Sequence, residues 1–125
     1  MSDETIRLTL PATPLYGRVA RTAAKGLALR LGYSYREIED LSLALDETLI
    51  LLLHPEGDGG TLTIVFDPTG EALQVDAAVD PGSPVTRVDD EARSRFKTLV
   101  EPVVDAWEID DAGLSVHLSK NRESD

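Results

Sequence analysis

The sequence predicts one α+β domain, a two-layer sandwich in which helices cover one face of a mostly antiparallel sheet. The 125 residues, 42% of them apolar, are the size of a single domain with one core, so we expect one domain over residues 1–125. The period of the apolar residues changes along the chain and gives the order strand, helix, helix, strand, strand, helix, strand, strand. Consecutive strands joined by short turns, with few helices between them, favour this architecture.

The first two elements are a strand and a helix. Apolar and polar residues alternate over Thr5–Leu10, as in a strand with one buried face, and Pro11 follows. Thr13 and Pro14 suit a helix start, since a hydroxyl can cap free amides and proline needs no partner for an N–H. Five residues four apart then predict the core-facing side of this helix: Leu15, Val19, Ala23, Leu27 and Leu31. Gly32 is the predicted stop.

The second helix has a stronger start signal and an unusual end. Ser34 and Glu37 have the spacing of a capping box. One face is predicted to consist of Ile38, Leu41, Leu45, Leu49 and Leu52. The run Leu49–Leu53 contains no polar side chain, which predicts a turn buried on every side. Either neighbouring side chains fill the space around it, or this part of the helix meets a second protein.

The second half of the chain predicts two hairpins around one helix. The runs 61–66 and 71–79 are strand-like and are joined by 67–70, whose residue types suit a tight turn. A helical pattern then passes through Phe96, Leu99, Val100, Val103 and Trp107, and Pro102 should kink or split it. The segments 108–109 and 114–120 predict the closing hairpin, and 121–125 a frayed tail.

The composition excludes several classes of function. Twelve basic and 23 acidic residues give a formal charge of -11, which disfavours binding to nucleic acid or to a membrane surface. The chain has no cysteine, and its two histidines are far apart, so we predict no metal site. The first residues lack the pattern of a signal peptide, and no apolar run approaches the ~20 residues of a membrane span. We therefore expect a soluble cytoplasmic protein.

Three stretches carry a resemblance to a known family. They are LPATPLYGRVARTAAKGLALRLG, IEDLSLALDET and VVDAWEIDDAGLSVHLSK. In this order and spacing the chain resembles the anti-sigma factor and serine-protein kinase family of the RsbW and SpoIIAB type. This family belongs to the GHKL group of ATPases, which includes the histidine kinases. The resemblance implies a histidine-kinase-like ATPase fold, and Arg21 falls on a recurrent arginine of the family.

The resemblance also implies a nucleotide site on the second helix. There, Glu47 matches the family's catalytic base, and an asparagine four residues later would bind the magnesium ion of ATP. This chain has Leu51 at that position, and an aliphatic side chain offers no oxygen to a hard cation. Without that ligand, we expect Glu47 to be a solvated or capped helix glutamate rather than a base.

Two further parts of the implied site depart from the family. Asp80 and Gly82 match the residues that contact adenine, but Pro84 stands where another glycine is usual, and a turn explains the same residues. No glycine occurs from Ser83 to Ala112, so the glycine-rich phosphate-binding lid is predicted to be shortened. ATP and magnesium are the cofactors implied by the resemblance, whereas these departures predict that none is bound.

Three functions follow as hypotheses. The first is an anti-sigma-like regulatory protein that binds a sigma factor or its regulator through a degenerate kinase fold. The second is an active serine kinase of an anti-anti-sigma protein of the STAS type. The third is a dimeric scaffold without a sigma partner. The resemblance implies a sigma factor, an anti-anti-sigma protein and a second copy of the chain as partners.

Overall fold

The computed structural model describes residues 4–55, 59–82 and 89–123. Its strands and helices are β1 Ile6–Pro11, α1 Gly17–Arg30, α2 Tyr35–Leu52, β2 Thr61–Asp67, β3 Ala72–Asp80, α3 Asp90–Val100, β4 Ala106–Ile109 and β5 Ser115–Asn121. Single 3-10 turns precede α1 at Pro14–Tyr16 and follow α3 at Glu101–Val103. The predicted order of elements is confirmed.

The five strands form one sheet in the order β1-β2-β3-β5-β4, and every neighbouring pair is antiparallel. Alternate residues of the central strands point into the core: Leu62, Ile64, Phe66, Leu73, Val75, Ala77, Val116 and Leu118. Buried residues of all three helices complete the same core. The predicted α+β sandwich is therefore confirmed.

Helix α1 ends as predicted but faces the core differently. Gly32 follows it with a φ of 85°, a conformation that glycine adopts without strain. The buried positions are Gly17, Ala20, Ala24 and Ala28. The predicted core-facing line is wrong at its start, since Leu15 is 77% exposed and Val19 46%. Each step of four residues turns about 40° beyond a full circle, so five residues at this spacing spread over about 160° and cannot share one face.

Helix α2 has the predicted capping box and buried face. The backbone N–H of Glu37 donates to Ser34 Oγ at 3.1 Å, and that of Ser34 donates to Glu37 Oε1 at 2.7 Å. Leu41, Leu45, Leu49 and Leu52 are buried. The prediction that the leucine-rich turn is buried on every side is wrong, because Ile50 is 58% exposed. It lies on the side of α2 that faces away from the sheet.

Helix α3 begins at a capping aspartate and ends near the predicted break. Asp89 accepts a hydrogen bond from the backbone N–H of Ala92 at 2.8 Å, and the helix ends two residues before Pro102. The helical prediction is wrong for Trp107, which lies in β4 opposite Leu118. Its ring meets Phe96 edge to face, with centroids 5.6 Å apart. Pairing with β5 thus overrides the apolar spacing that favoured a longer helix.

Residues 120–123 are fixed to the turn between α1 and α2 and to the start of α2. Tyr33 Oη donates to the carbonyl oxygen of Lys120 at 2.7 Å, and Arg122 Nη1 donates to that of Leu31 at 2.8 Å. The backbone N–H of Glu123 donates to Glu37 Oε2 at 2.6 Å. The frayed-tail prediction is therefore wrong for 121–123, while 124–125 lie outside the described residues. We call this set of contacts the C-terminal clasp.

A membrane-spanning helix was sought in the described part of the chain, and none of its helices has the length and apolarity to cross a bilayer.

Candidate functional site

A cleft opens between α2 and α3 where the resemblance implies a nucleotide. Its volume is about 240 Å³. Its lining consists of Glu47, Ile50, Leu51, Asp89, Ala92, Arg95 and Phe96. Two carboxylates and one guanidinium therefore face a space that is otherwise apolar. We call it the α2–α3 cleft.

Glu47 lies at the wall of this cleft and is only 8% exposed. Its Oε1 lies 3.2 Å from Nη2 of Arg95, a half-exposed side chain on α3. The predicted solvated or capped state is thus wrong, because packing of α3 on α2 covers the carboxylate. An ion pair at this distance compensates part of the cost of removing a carboxylate from water.

Leu51 lies one helical turn after Glu47 and lines the same cleft. The turn of α2 fixes this arrangement, since residues four apart share one face of a helix. Leu51 is partly buried, and the side chains beside it are Ile50 on α2 and Phe96 on α3. At this position the cleft therefore offers hydrocarbon and no oxygen ligand.

Asp80 and Gly82 lie at the end of β3 and just after it. Asp80 is the exposed last residue of β3, Gly82 follows in an exposed bend, and neither lines the α2–α3 cleft. This bend lies against Gly60, where a side-chain Cβ would come within 2.6 Å of the backbone nitrogen of Gly82. Asp80 and Gly82 as adenine-binding residues therefore stay a prediction.

Three structural features bear on a bound metal or nucleotide. Among residues 4–55, 59–82 and 89–123, no three histidine, aspartate or glutamate side chains are grouped so as to hold a metal ion. The predicted loss of the lid falls in large part on 83–88, which lie outside the described residues. A second groove, of about 540 Å³, lies between α1 and α2, shares Glu47 and Ile50 with the α2–α3 cleft and is mostly apolar.

An ion pair in this second groove joins the first two helices. Arg21 Nη1 lies 3.2 Å from Oδ1 of Asp46, the residue that precedes Glu47 in the sequence. Sequence reasoning singled out Arg21 only through the resemblance, and it missed Arg95 altogether. No local pattern marks Arg95, because its role depends on how α3 packs against α2.

No family model matches the chain. Curated relatives do match it. The serine-protein kinase RsbW of Halalkalibacterium halodurans is 27% identical over 141 aligned positions, covering 98% of this chain and 86% of the relative. The chain is thus similar to an RsbW serine-protein kinase over nearly its whole length.

Two more RsbW proteins match over shorter regions. That of Bacillus cereus is 35% identical over 77 residues, which cover 60% of this chain and 48% of the relative. That of Bacillus subtilis is 34% identical over 73 residues, which cover 56% of this chain and 46% of the relative. These two alignments span about half the length of the relatives. They confirm the family resemblance inferred from the three sequence stretches.

Proposed function

We propose that this chain is an anti-sigma-like regulatory protein that binds a sigma factor or a regulator of one, without phosphoryl transfer. The observation that carries this proposal is the Glu47–Arg95 ion pair, in a cleft that presents Leu51 where a magnesium ligand is expected. The similarity to RsbW proteins supplies the class of partner.

The groups that face the α2–α3 cleft fit a magnesium–nucleotide complex poorly. Magnesium needs oxygen ligands in near-octahedral geometry. Leu51 provides none, and Arg95 already pairs with the carboxylate of Glu47. A nucleotide also needs donors for its phosphates, and Arg95 is the one cationic side chain in the described lining. Asp80, the implied adenine contact, does not line the cleft.

An active serine kinase is the alternative, and one observation favours it: Glu47 is retained in a cleft that is not filled. Isothermal titration calorimetry with magnesium and ATP separates the two hypotheses, with the Bacillus subtilis relative as a positive control. We expect no heat of binding for this chain. Micromolar binding that is abolished by Asp80→Asn, or phosphate transfer to an anti-anti-sigma protein of the STAS type, would overturn the proposal.

The partner is tested by purification of the tagged chain from its source cells, followed by binding measurements with each purified candidate. We expect a sigma factor, an anti-anti-sigma protein, or both. Sedimentation measures whether the chain also forms the homodimer expected from the family. Recovery of a dimer with neither partner would support the scaffold hypothesis instead.

Leu51→Asn tests whether one residue accounts for the proposed loss of nucleotide binding. We expect little gain in ATP affinity, because Glu47 stays paired with Arg95 and the phosphate donors are still missing. Since Leu51 is only partly buried, the amide reaches water and the stability cost should be near the lower end of ~1–3 kcal/mol. Calorimetry and urea unfolding measure the two effects. Tight ATP binding by the variant would contradict this prediction.

A further inference from the structure

Helix α1 has an apolar stripe on the side opposite the core. The stripe consists of Leu15 in the preceding 3-10 turn, followed by Val19, Thr22, Gly26 and Leu29 on α1. Leu15, Val19 and Leu29 are 77%, 46% and 69% exposed. A surface helix normally places polar residues opposite its buried face, so this stripe is an exception.

The spacing along the stripe is that of a helix-pairing surface. Its members are separated by four, three, four and three residues, the alternation of positions a and d in a coiled-coil heptad. Gly26 lies in the middle of the stripe, and a Cβ built there would have no neighbour within 4 Å. A second helix can therefore approach the backbone of α1 closely at this point.

The charge around the stripe is opposite to that of the chain as a whole. Helix α1 carries Arg18, Arg21, Lys25 and Arg30 and no acidic residue, although the whole chain has a formal charge of -11. Arg21 is paired with Asp46. Arg18, Lys25 and Arg30 form no ion pair within the described part of the chain. They flank the stripe and are free to attract carboxylates.

We infer that the α1 stripe binds an acidic amphipathic helix of a partner protein, with its apolar residues on Val19 and Leu29 and its carboxylates beside the flanking cations. This inference rests on the proposed function and names the chemistry of the partner. A second copy of the chain fits less well, because symmetric pairing of α1 with α1 brings cations against cations.

The test uses the full chain and two synthetic peptides of about three heptads. One has leucines at a and d positions flanked by glutamates, and the other has lysines in place of those glutamates. Binding is measured by fluorescence anisotropy and located by amide chemical shifts. We expect the acidic peptide alone to bind and to shift Val19, Thr22, Gly26 and Leu29. Equal binding of both peptides, or shifts centred on the α2–α3 cleft, would overturn the inference.

Two sets of variants separate the apolar and charged contributions. The first double variant is Val19→Ser with Leu29→Ser, and the second is Arg18→Glu with Lys25→Glu. Each should lower the affinity for the acidic peptide by roughly tenfold or more. Matched controls away from α1 are Tyr35→Ser, an aromatic residue 79% exposed, and Arg36→Glu. The controls should change affinity less than twofold, as expected of residues outside a contact surface. Circular dichroism checks that each variant is folded, and only folded variants are compared.

Two outcomes distinguish this inference from the proposed function. Unchanged sigma-factor binding by both α1 double variants would overturn the inference and leave the proposed function intact. Recovery of no sigma factor or regulator would instead overturn the proposed function, and the peptide titration would still decide the role of α1. If sedimentation shows a dimer that the Val19 and Leu29 substitutions dissociate, the stripe binds a second copy and the inference is wrong.

Discussion

At the scale of single residues, Glu47 is buried beside one guanidinium group. Its Oε1 lies 3.2 Å from Arg95 Nη2, and the two side chains come from different helices. Arg95 keeps about half of its own side chain in water, so it loses little hydration by pairing. A carboxylate placed in this way already has a cationic partner, which is the physical basis for proposing that it no longer acts in phosphoryl transfer.

Arg95→Ala should lower the free energy of unfolding by about 1–2 kcal/mol, because it leaves a buried carboxylate without its partner. The Glu47→Gln substitution in the same background should recover most of this loss. Urea unfolding of the wild type, both single variants and the double variant gives the coupling energy. Additive effects of the two substitutions would show that the pair contributes nothing to stability.

At the scale of elements, two glycines illustrate opposite constraints. Gly60 precedes β2, and its Cα faces the backbone at Asp80 and Gly82, where β3 ends. Gly26 lies in the middle of α1 and faces open space. Both are glycines in the sequence, yet only the first is required by a close approach of two backbone segments.

Gly60→Ala should destabilise the protein by about 1–3 kcal/mol, since the added methyl group meets backbone atoms that cannot move aside cheaply. Gly26→Ala is the matched control and should stabilise the protein by roughly 0.5–1 kcal/mol through helix propensity. Thermal unfolding of both variants measures the difference. A neutral Gly60→Ala would mean that the bend after β3 shifts freely away from β2.

At the scale of the whole molecule, the C-terminal clasp joins the residues around the end of β5 to the turn between α1 and α2. Glu37 lies in the first turn of α2 and is buried, and its carboxylate accepts backbone hydrogen bonds from Ser34 and Glu123. The pKa of Glu37 is raised by burial, but the hydrogen bonds from Ser34 and Glu123 outweigh that effect and hold the pKa below its ordinary value. Ionised Glu37 therefore stabilises the folded state.

The pH dependence of stability follows from the sign of this shift. Because the folded pKa is lowered, the contribution of Glu37 is fully present above the unfolded value of about 4.3 and is lost as the pH falls through the folded value. Glu37→Gln should thus be less stable than the wild type at neutral pH, and the difference should shrink below about pH 4. Urea unfolding over this pH range measures it. The control is Glu39→Gln, a change at an exposed position of the same helix. A stability difference between the wild type and Glu37→Gln that does not change with pH would contradict the prediction.

Much of the fold could be predicted because its signals are local. The capping box at Ser34 and Glu37 and the glycine stop at Gly32 each depend on hydrogen bonds or backbone angles within a few residues. The antiparallel hairpin of β2 and β3 follows from alternation and a tight turn. The residues that determine such features are close together in the sequence, so a short stretch is enough to predict them.

The sequence by itself therefore determined the order of elements, the fold class and the resemblance to RsbW-type proteins, and it placed Glu47 and Leu51 on one side of a helix. Only the tertiary structure decided that Arg95 pairs with Glu47 and that Val19 faces solvent. Which face of a helix is buried, and which charges meet, depends on how separate elements pack. That information comes from contacts between residues far apart in the chain, which no local pattern contains.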